Sequence, residues 1–130
     1  MSVVNAGIVI DVSEMNQVEI DHKLGTVTVQ TGLCDFALYE TLGSEGGNGT
    51  RGLCPTTGIA GLTLGGGQSI VARSLGLTCD NLLGLEMVNA NGRVLRADAD
   101  HNADLFWASR GGWRRKFWHL YYLSLPYTPH

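Results

Sequence analysis

Apolar and polar residues alternate in two short runs near the start of the chain, "QVEID" (17–21) and "TVTVQTG" (26–32). Alternation is the period of a half-buried strand, and the intervening "HKLG" is a short turn, so the pair predicts a β-hairpin. A second hairpin is predicted over "LLGLEMVNANGRVLRAD" (82–98), where two apolar strands flank Asn91–Gly92, the strongest short turn signal. "GIVIDVS" (7–13) is a continuous apolar run rich in β-branched residues and predicts a buried strand. Helical spacing appears in "CDFALYETLGSEG" (34–46), with Phe36, Leu38, Tyr39 and Leu42 apolar and Asp35 in the first turn. It appears again in "DADHNADLFWASRG" (98–111), with Leu105, Phe106 and Ala108 apolar and Gly111 as the stop. "SIVARSLG" (69–76) predicts a short helix ended by Gly76, whereas "GLCPTTGIAGLTLGGG" (52–67) follows neither period. Strands in antiparallel pairs with helices interspersed make the expected class α+β.

Composition narrows the picture. A length of 130 residues suits one modest domain or a piece of a larger one. The net charge of −3 gives no global reason to expect nucleic acid. No apolar run approaches the roughly 20 residues of a membrane helix, so no membrane partner is expected. The opening "MSVVNAG" has no basic segment followed by an apolar stretch, and a cytoplasmic location is the default expectation. Cys34, Cys54 and Cys79 form no C-x-x-C pair and have no histidine at metal spacing, which argues against zinc.

Eighteen glycines is the outlying number, and most cluster between 43 and 67. Two phosphate-binding patterns fail there. No lysine follows the glycines of "GLTLGGGQS", as a P-loop requires, and Ile70 stands where a dinucleotide fingerprint needs its third glycine. The physical idea outlives both patterns. Gly58, Gly61, Gly65, Gly66 and Gly67 strip side chains from one segment, so its backbone N–H groups could approach a flat or anionic ligand. The competing reading is a tight irregular connection between sheet and helix. Cys54 precedes Pro55, which holds its backbone extended. A lone cysteine is either a small buried hydrophobe or a reactive group, and the residues alone leave both open.

Four stretches, "GLCPTTGIAGLTLGGG", "RSLGLTCDNLL", "MVNANGRVLRA" and "NADLFWASRGG", in this order resemble the FAD-linked oxidases of the berberine-bridge-enzyme type, within the vanillyl-alcohol oxidase and p-cresol methylhydroxylase (PCMH) group. The resemblance runs from about Gly7 to Gly112. It implies the second part of a PCMH-type FAD-binding domain, mainly antiparallel sheet with flanking helices, with "GIVIDVS" closing the first part. Many members hold the flavin covalently, through a histidine in an upstream "GGHS"-like loop and through the cysteine of G-x-C-P-T. Cys54 matches that cysteine. Thr56, Gly58, Gly61, Gly65 and Gly66 are implied to line the flavin through backbone contacts. The implied cofactor is FAD, tethered through Cys54, and the implied class is an oxidoreductase that takes a hydride from an alcohol or amine carbon. The chain departs from the family in lacking the "GGHS" loop, a proline before "GLC" and the substrate domain, and in carrying Ser69 for a usual glycine. No catalytic residue is therefore assigned. Little catalysis and weak FAD affinity are expected of this chain alone, and the implied partner is a complementing chain carrying the rest of the enzyme.

The tail "WRRKFWHLYYLSLPYTPH" is unlike the rest. It holds six of the ten aromatics, three of the nine bases and no acid, leaving six bases against twelve acids in the body. Stacking aromatics beside Arg114, Arg115 and Lys116 could hold single-stranded nucleic acid or seat on a membrane surface, and this non-catalytic binding module is the alternative reading. The family, however, continues with a run like "GGGNFGIVTSLTFRLHP". Permitted codons for the tail, read one base later, spell "GGGNFGIFITSLFRIHP". Trp113 and Trp118 have a single codon each, and both fit. The expected division is thus a partial FAD-binding domain over 1–112 and an out-of-frame tail over 113–130. A domain without its closing strand would expose an unpaired sheet edge.

Overall fold

The computed structural model describes residues 7, 9–50, 52–111 and 119–129. Two hairpins form where alternation predicted them. β1 (Val18–Asp21) pairs antiparallel with β2 (Thr26–Gln30), and β4 (Gly84–Val88) with β5 (Val94–Asp98). Each turn is closed by a side chain at its first corner. The Asp21 carboxylate accepts the Lys23 and Leu24 N–H groups, and the Asn89 side-chain oxygen accepts those of Asn91 and Arg93. Asx side chains favour turns because they satisfy these backbone donors locally. Gly92 takes the left-handed conformation that the second turn requires.

Four helices follow the strands. α1 (Asp35–Ser44) and α4 (Ala103–Ser109) lie within the predicted ranges. α2 (Ile59–Leu64) arises inside the glycine stretch, where no period was visible. α3 (Ala72–Leu75) is a single turn ended by Gly76. On α1 the buried face is Leu38 and Leu42, one turn apart, while Phe36 and Tyr39 are half-exposed.

The tail departs from expectation. β6 (His119–Pro126) runs through the middle of the sheet, whose order is β1-β2-β6-β4-β5. It pairs antiparallel with both β2 and β4. The slot predicted to stand empty is filled, and no unpaired edge remains between the two hairpins. The pairing obeys side-chain period: Leu123, Leu125 and Tyr127 are buried, while Tyr122, Ser124 and Pro126 are only partly so. Pro126 opposes Thr26 of β2 but lies beyond the end of β4, so its missing N–H leaves no gap in a second ladder. A bulge in the β4–β6 pairing falls between Glu86 and Met87. β7 (Thr128–Pro129) then pairs with β3 (Gly47–Asn48).

One sheet face carries the core. Val27, Val29, Leu85, Met87, Ala97, Leu123 and Leu125 meet Leu38 and Leu42 of α1, Ile59 of α2 and Phe106 of α4 in one buried cluster. Within the described part of Gly7–Ser13 the predicted buried strand does not form. Its residues make no strand, and Val9 and Ile10 are 57% and 50% exposed. An apolar, β-branched run becomes a strand only when a neighbouring strand accepts its hydrogen bonds. Of the tail aromatics, Tyr127 is 3% exposed and Tyr122 half-buried. Trp113 to Trp118, and with them the three bases, lie outside the described residues. No described helix is long and apolar enough to cross a membrane.

Candidate functional site

The segment from Gly52 to Gly67 is built on the start of α1. That helix has no side-chain cap, and its first donors are instead taken by the loop: Asp35 N–H donates to the Thr57 carbonyl at 2.9 Å and Phe36 N–H to the Pro55 carbonyl at 3.0 Å. A helix start leaves such donors unpaired by construction, so a loop that supplies carbonyls there is held firmly. Two more bonds complete the stitching. Ile59 N–H donates to the Leu33 carbonyl at 3.0 Å, which with the Asp35–Thr57 bond makes Cys34 and Gly58 an antiparallel bridge, and the buried Asp35 carboxylate accepts Gly52 N–H at 3.0 Å.

Cys54 projects from this anchored loop and is exposed. Thr57 N–H donates to the Cys54 carbonyl at 3.1 Å, closing a turn that brings the Thr56 hydroxyl 3.5 Å from the Cys54 sulfur. The Thr56 side chain, then the Thr56 backbone N–H and the Thr57 side chain, favour the thiolate and hold the Cys54 pKa below its ordinary value; the charge of Asp35 opposes them. Cys79 behaves in the opposite way. Burial, followed by the charge of Asp80, pushes its thiol up. Cys34 is half-buried, and all three cysteines are free.

Beyond the loop, Gly58 stands just before α2 and Gly61 within it, both exposed. A Cβ added at either would meet nothing within 4 Å, so an uncluttered strip of backbone lies beside the Cys54 loop. Gly65 is exposed and closes α2, while Gly66 is buried with φ of +110°. Gly67 has φ of +78°, and a Cβ there would come within 2.6 Å of Thr78. Gly67 is thus a glycine for packing, whereas Gly58 and Gly61 have no internal reason to lack a side chain. Ser69 is buried and its hydroxyl accepts Val71 N–H at 3.2 Å, a local role. The loop, Cys54, Thr56 and the glycine strip lie along one continuous stretch of chain. Sequence reasoning missed Thr57, whose only signal was adjacency to "CPT", and the buried anchor Asp35, which it treated as a helix-start charge. The open backbone at Gly58 and Gly61 and the exposed Cys54 sulfur, its pKa lowered, leave room beside the loop for a flat ring. A hollow of about 320 Å³ on the opposite sheet face, lined among others by Glu19, Thr28, Glu86 and Arg96, includes none of these residues. No cluster of metal-ligating side chains occurs among the described residues.

The chain is similar to known proteins over most of its length. Residues 1–98 match the family described as FAD binding domain. The FAD-linked oxidoreductase YvdP of Bacillus subtilis is 51% identical over 112 residues, which make up 86% of this chain and 25% of that protein. The structure of 6-hydroxy-D-nicotine oxidase from Arthrobacter nicotinovorans superposes with a TM-score of 0.91 at 30% identity, over 97% of this chain and 28% of that one. Glucooligosaccharide oxidase from Acremonium strictum, which carries a 6-S-cysteinyl, 8α-N1-histidyl FAD, matches with a TM-score of 0.81 at 30% identity, over 90% of this chain and 24% of its own. The chain therefore spans about a quarter of the length of the relatives it matches.

Proposed function

Since this chain belongs to the FAD-binding-domain family of FAD-linked oxidases of the berberine-bridge and vanillyl-alcohol-oxidase type, we propose that it supplies the ring-facing part of the FAD site, with Cys54 as the point of covalent attachment. Bound FAD supplies the hydride-accepting chemistry. The chain's share is to orient the ring and hold it. Thr56 and Thr57 lower the Cys54 pKa, and the exposed backbone of Gly58, Gly61 and Gly65 lines the ring, with the buried Gly66 turning the chain behind them. Asp35 acts beneath them by fixing the loop at Gly52.

The observation that carries this reading is the conjunction of an exposed, hydroxyl-supported Cys54 with a side-chain-free strip on α2. Each alone is unremarkable. The intact relative would oxidise a carbon bearing a hydroxyl or amine. This chain, a quarter of such a relative's length, would be inactive by itself and would work with a chain carrying the remainder.

The test is to incubate the purified chain with excess FAD, denature it, and remove free flavin by gel filtration. Flavin absorbance remaining with the wild type and absent from Cys54→Ser supports the tether. Flavin bound before denaturation but lost after it sinks the tether and leaves the site. Absence of any binding before denaturation sinks both.

A further inference from the structure

Arg110 makes contacts that the flavin site as described does not use. It follows α4, and its guanidinium reaches across to the 3-10 turn at Thr78–Asn81, thirty residues earlier in the chain. Nε donates to the Cys79 carbonyl at 2.9 Å and Nη2 to the Asp80 carbonyl at 3.1 Å. The same guanidinium lies 5.5 Å from the centre of the buried Phe106 ring. A planar fork with two donors in fixed directions and a ring beneath it sets the orientation of what it binds.

The other side of that turn faces the glycines. Thr78 N–H donates to the Gly67 carbonyl at 2.8 Å, Cys79 N–H to the Gly66 carbonyl at 2.9 Å, and the Thr78 hydroxyl to the Gly67 carbonyl at 3.1 Å. Gly66 and Gly67 both have positive φ and directly follow Gly65, the last residue of the α2 cap. Backbone without side chains has little to hold it in one conformation, so its neighbours must do so. The backbone of Cys79 is therefore held on both sides, with its N–H on Gly66 and its C=O on Arg110.

We propose that Arg110 is a positioning residue for FAD, holding the Gly66–Gly67 turn in the shape that presents the α2 glycine strip to the ring. This rests on the FAD-site reading above. Arg110 touches no part of that strip itself and acts through the Thr78–Cys79 backbone. Lysine can keep the charge but not the fork, so Arg110→Lys should retain part of the effect and Arg110→Gln little of it.

Two measurements test this on the full chain. Without FAD, amide hydrogen exchange at Thr78 and Cys79 should accelerate in Arg110→Gln by about tenfold or more, since both charge-assisted hydrogen bonds to the turn are lost. Exchange in the β4–β6 ladder should stay put. Fluorescence titration at a temperature where both variants remain folded should then show FAD affinity falling by a similar factor, with Arg110→Lys between the two. By reciprocity, FAD should slow exchange at Thr78 and Cys79 in the wild type, and at the same FAD concentration by a smaller factor in Arg110→Gln, a difference that a purely structural arginine would not produce. Unchanged exchange at these amides in Arg110→Gln overturns the proposal, as does unchanged affinity where the wild type binds FAD. A wild type that binds no FAD overturns the site reading, and with it the role of Arg110 toward the ring.

Discussion

The ring of Tyr127 fills the space that a side chain on Gly47 would need. Its hydroxyl donates to the Glu45 carbonyl at 2.8 Å, its N–H to the Gly25 carbonyl at 2.7 Å, and its ring stands edge-on to His22. One residue of the tail thus closes contacts with two separate turns of the body, the β1–β2 turn and the turn after α1. Tyr127→Phe should cost about 1 kcal/mol through the lost hydroxyl bond. Tyr127→Ala should cost about 3–5 kcal/mol through the cavity left behind. Urea unfolding measures both, and a tail that adds nothing to stability would give no change in either midpoint.

The slot between β2 and β4 takes a strand with inward apolar residues at alternate positions, and Leu123, Leu125 and Tyr127 meet that need. The frame reading is therefore a separate question, decided in the gene. Sequencing the coding DNA from about codon 100 onward should show that the frame one base later spells "GGGNFGI" after the codon for Gly112. Codons for the tail that do not spell it would make the tail the native strand.

The glycines divide into two kinds, and substitution separates them. Gly67→Ala should destabilise the chain, because φ is +78° and the new methyl group would press on Thr78. Gly61→Ala should stabilise it by up to about 1 kcal/mol, since alanine is the better helix former and the added Cβ meets nothing. The same Gly61→Ala should weaken FAD binding by about tenfold or more, the cost of an overpacked contact. Thermal melts and FAD titration on one pair of variants check this. Gly61→Ala that binds FAD as well as the wild type would remove the strip from the site.

Alkylation should distinguish the cysteines. Hydroxyl and N–H partners lower the Cys54 pKa, so its reaction with iodoacetamide should rise with pH through a midpoint below the ordinary 9.0. Cys79, raised by burial, should react slowly and only at higher pH. Thr56→Val should move the Cys54 midpoint upward. Peptide mass spectrometry across a pH series reads all three.

Asp98 links β5 to α4. Its carboxylate accepts from the His101 ring at 2.9 Å and from the Asp100 and His101 N–H groups, which brings its pKa to about 2 from an ordinary 3.8. A depressed carboxylate stabilises the fold while ionised. The contribution is complete above about pH 4 and disappears as pH falls through about 2. Urea midpoints of the wild type and Asp98→Asn should differ at pH 5 and converge near pH 2. A gap that persists at pH 2 would assign the effect to packing.

The sequence by itself determined what short-range order can determine. Both hairpins were legible because alternation and a turn residue occur within a few positions of each other, and α1 and α4 because their apolar spacing outlasts one turn. The family was legible through the motifs that contain Cys54 and its glycines. Only the tertiary structure decided the rest. α2 was hidden because Gly58, Gly61 and Gly65 erase helical spacing, and its buried side chains, Ile59 and Thr63, are one turn apart in a helix of six residues. Gly7–Ser13 has the composition of a strand, yet none of its described residues joins the sheet. β6 lies in the stretch whose composition is unlike the rest, yet it pairs with both β2 and β4. A strand exists by its hydrogen-bond partners, and those partners lie about ninety residues away along the chain for β2 and about forty for β4. The asymmetry between Cys54 and Cys79 has the same origin, since exposure and burial belong to the packed molecule and not to the residue.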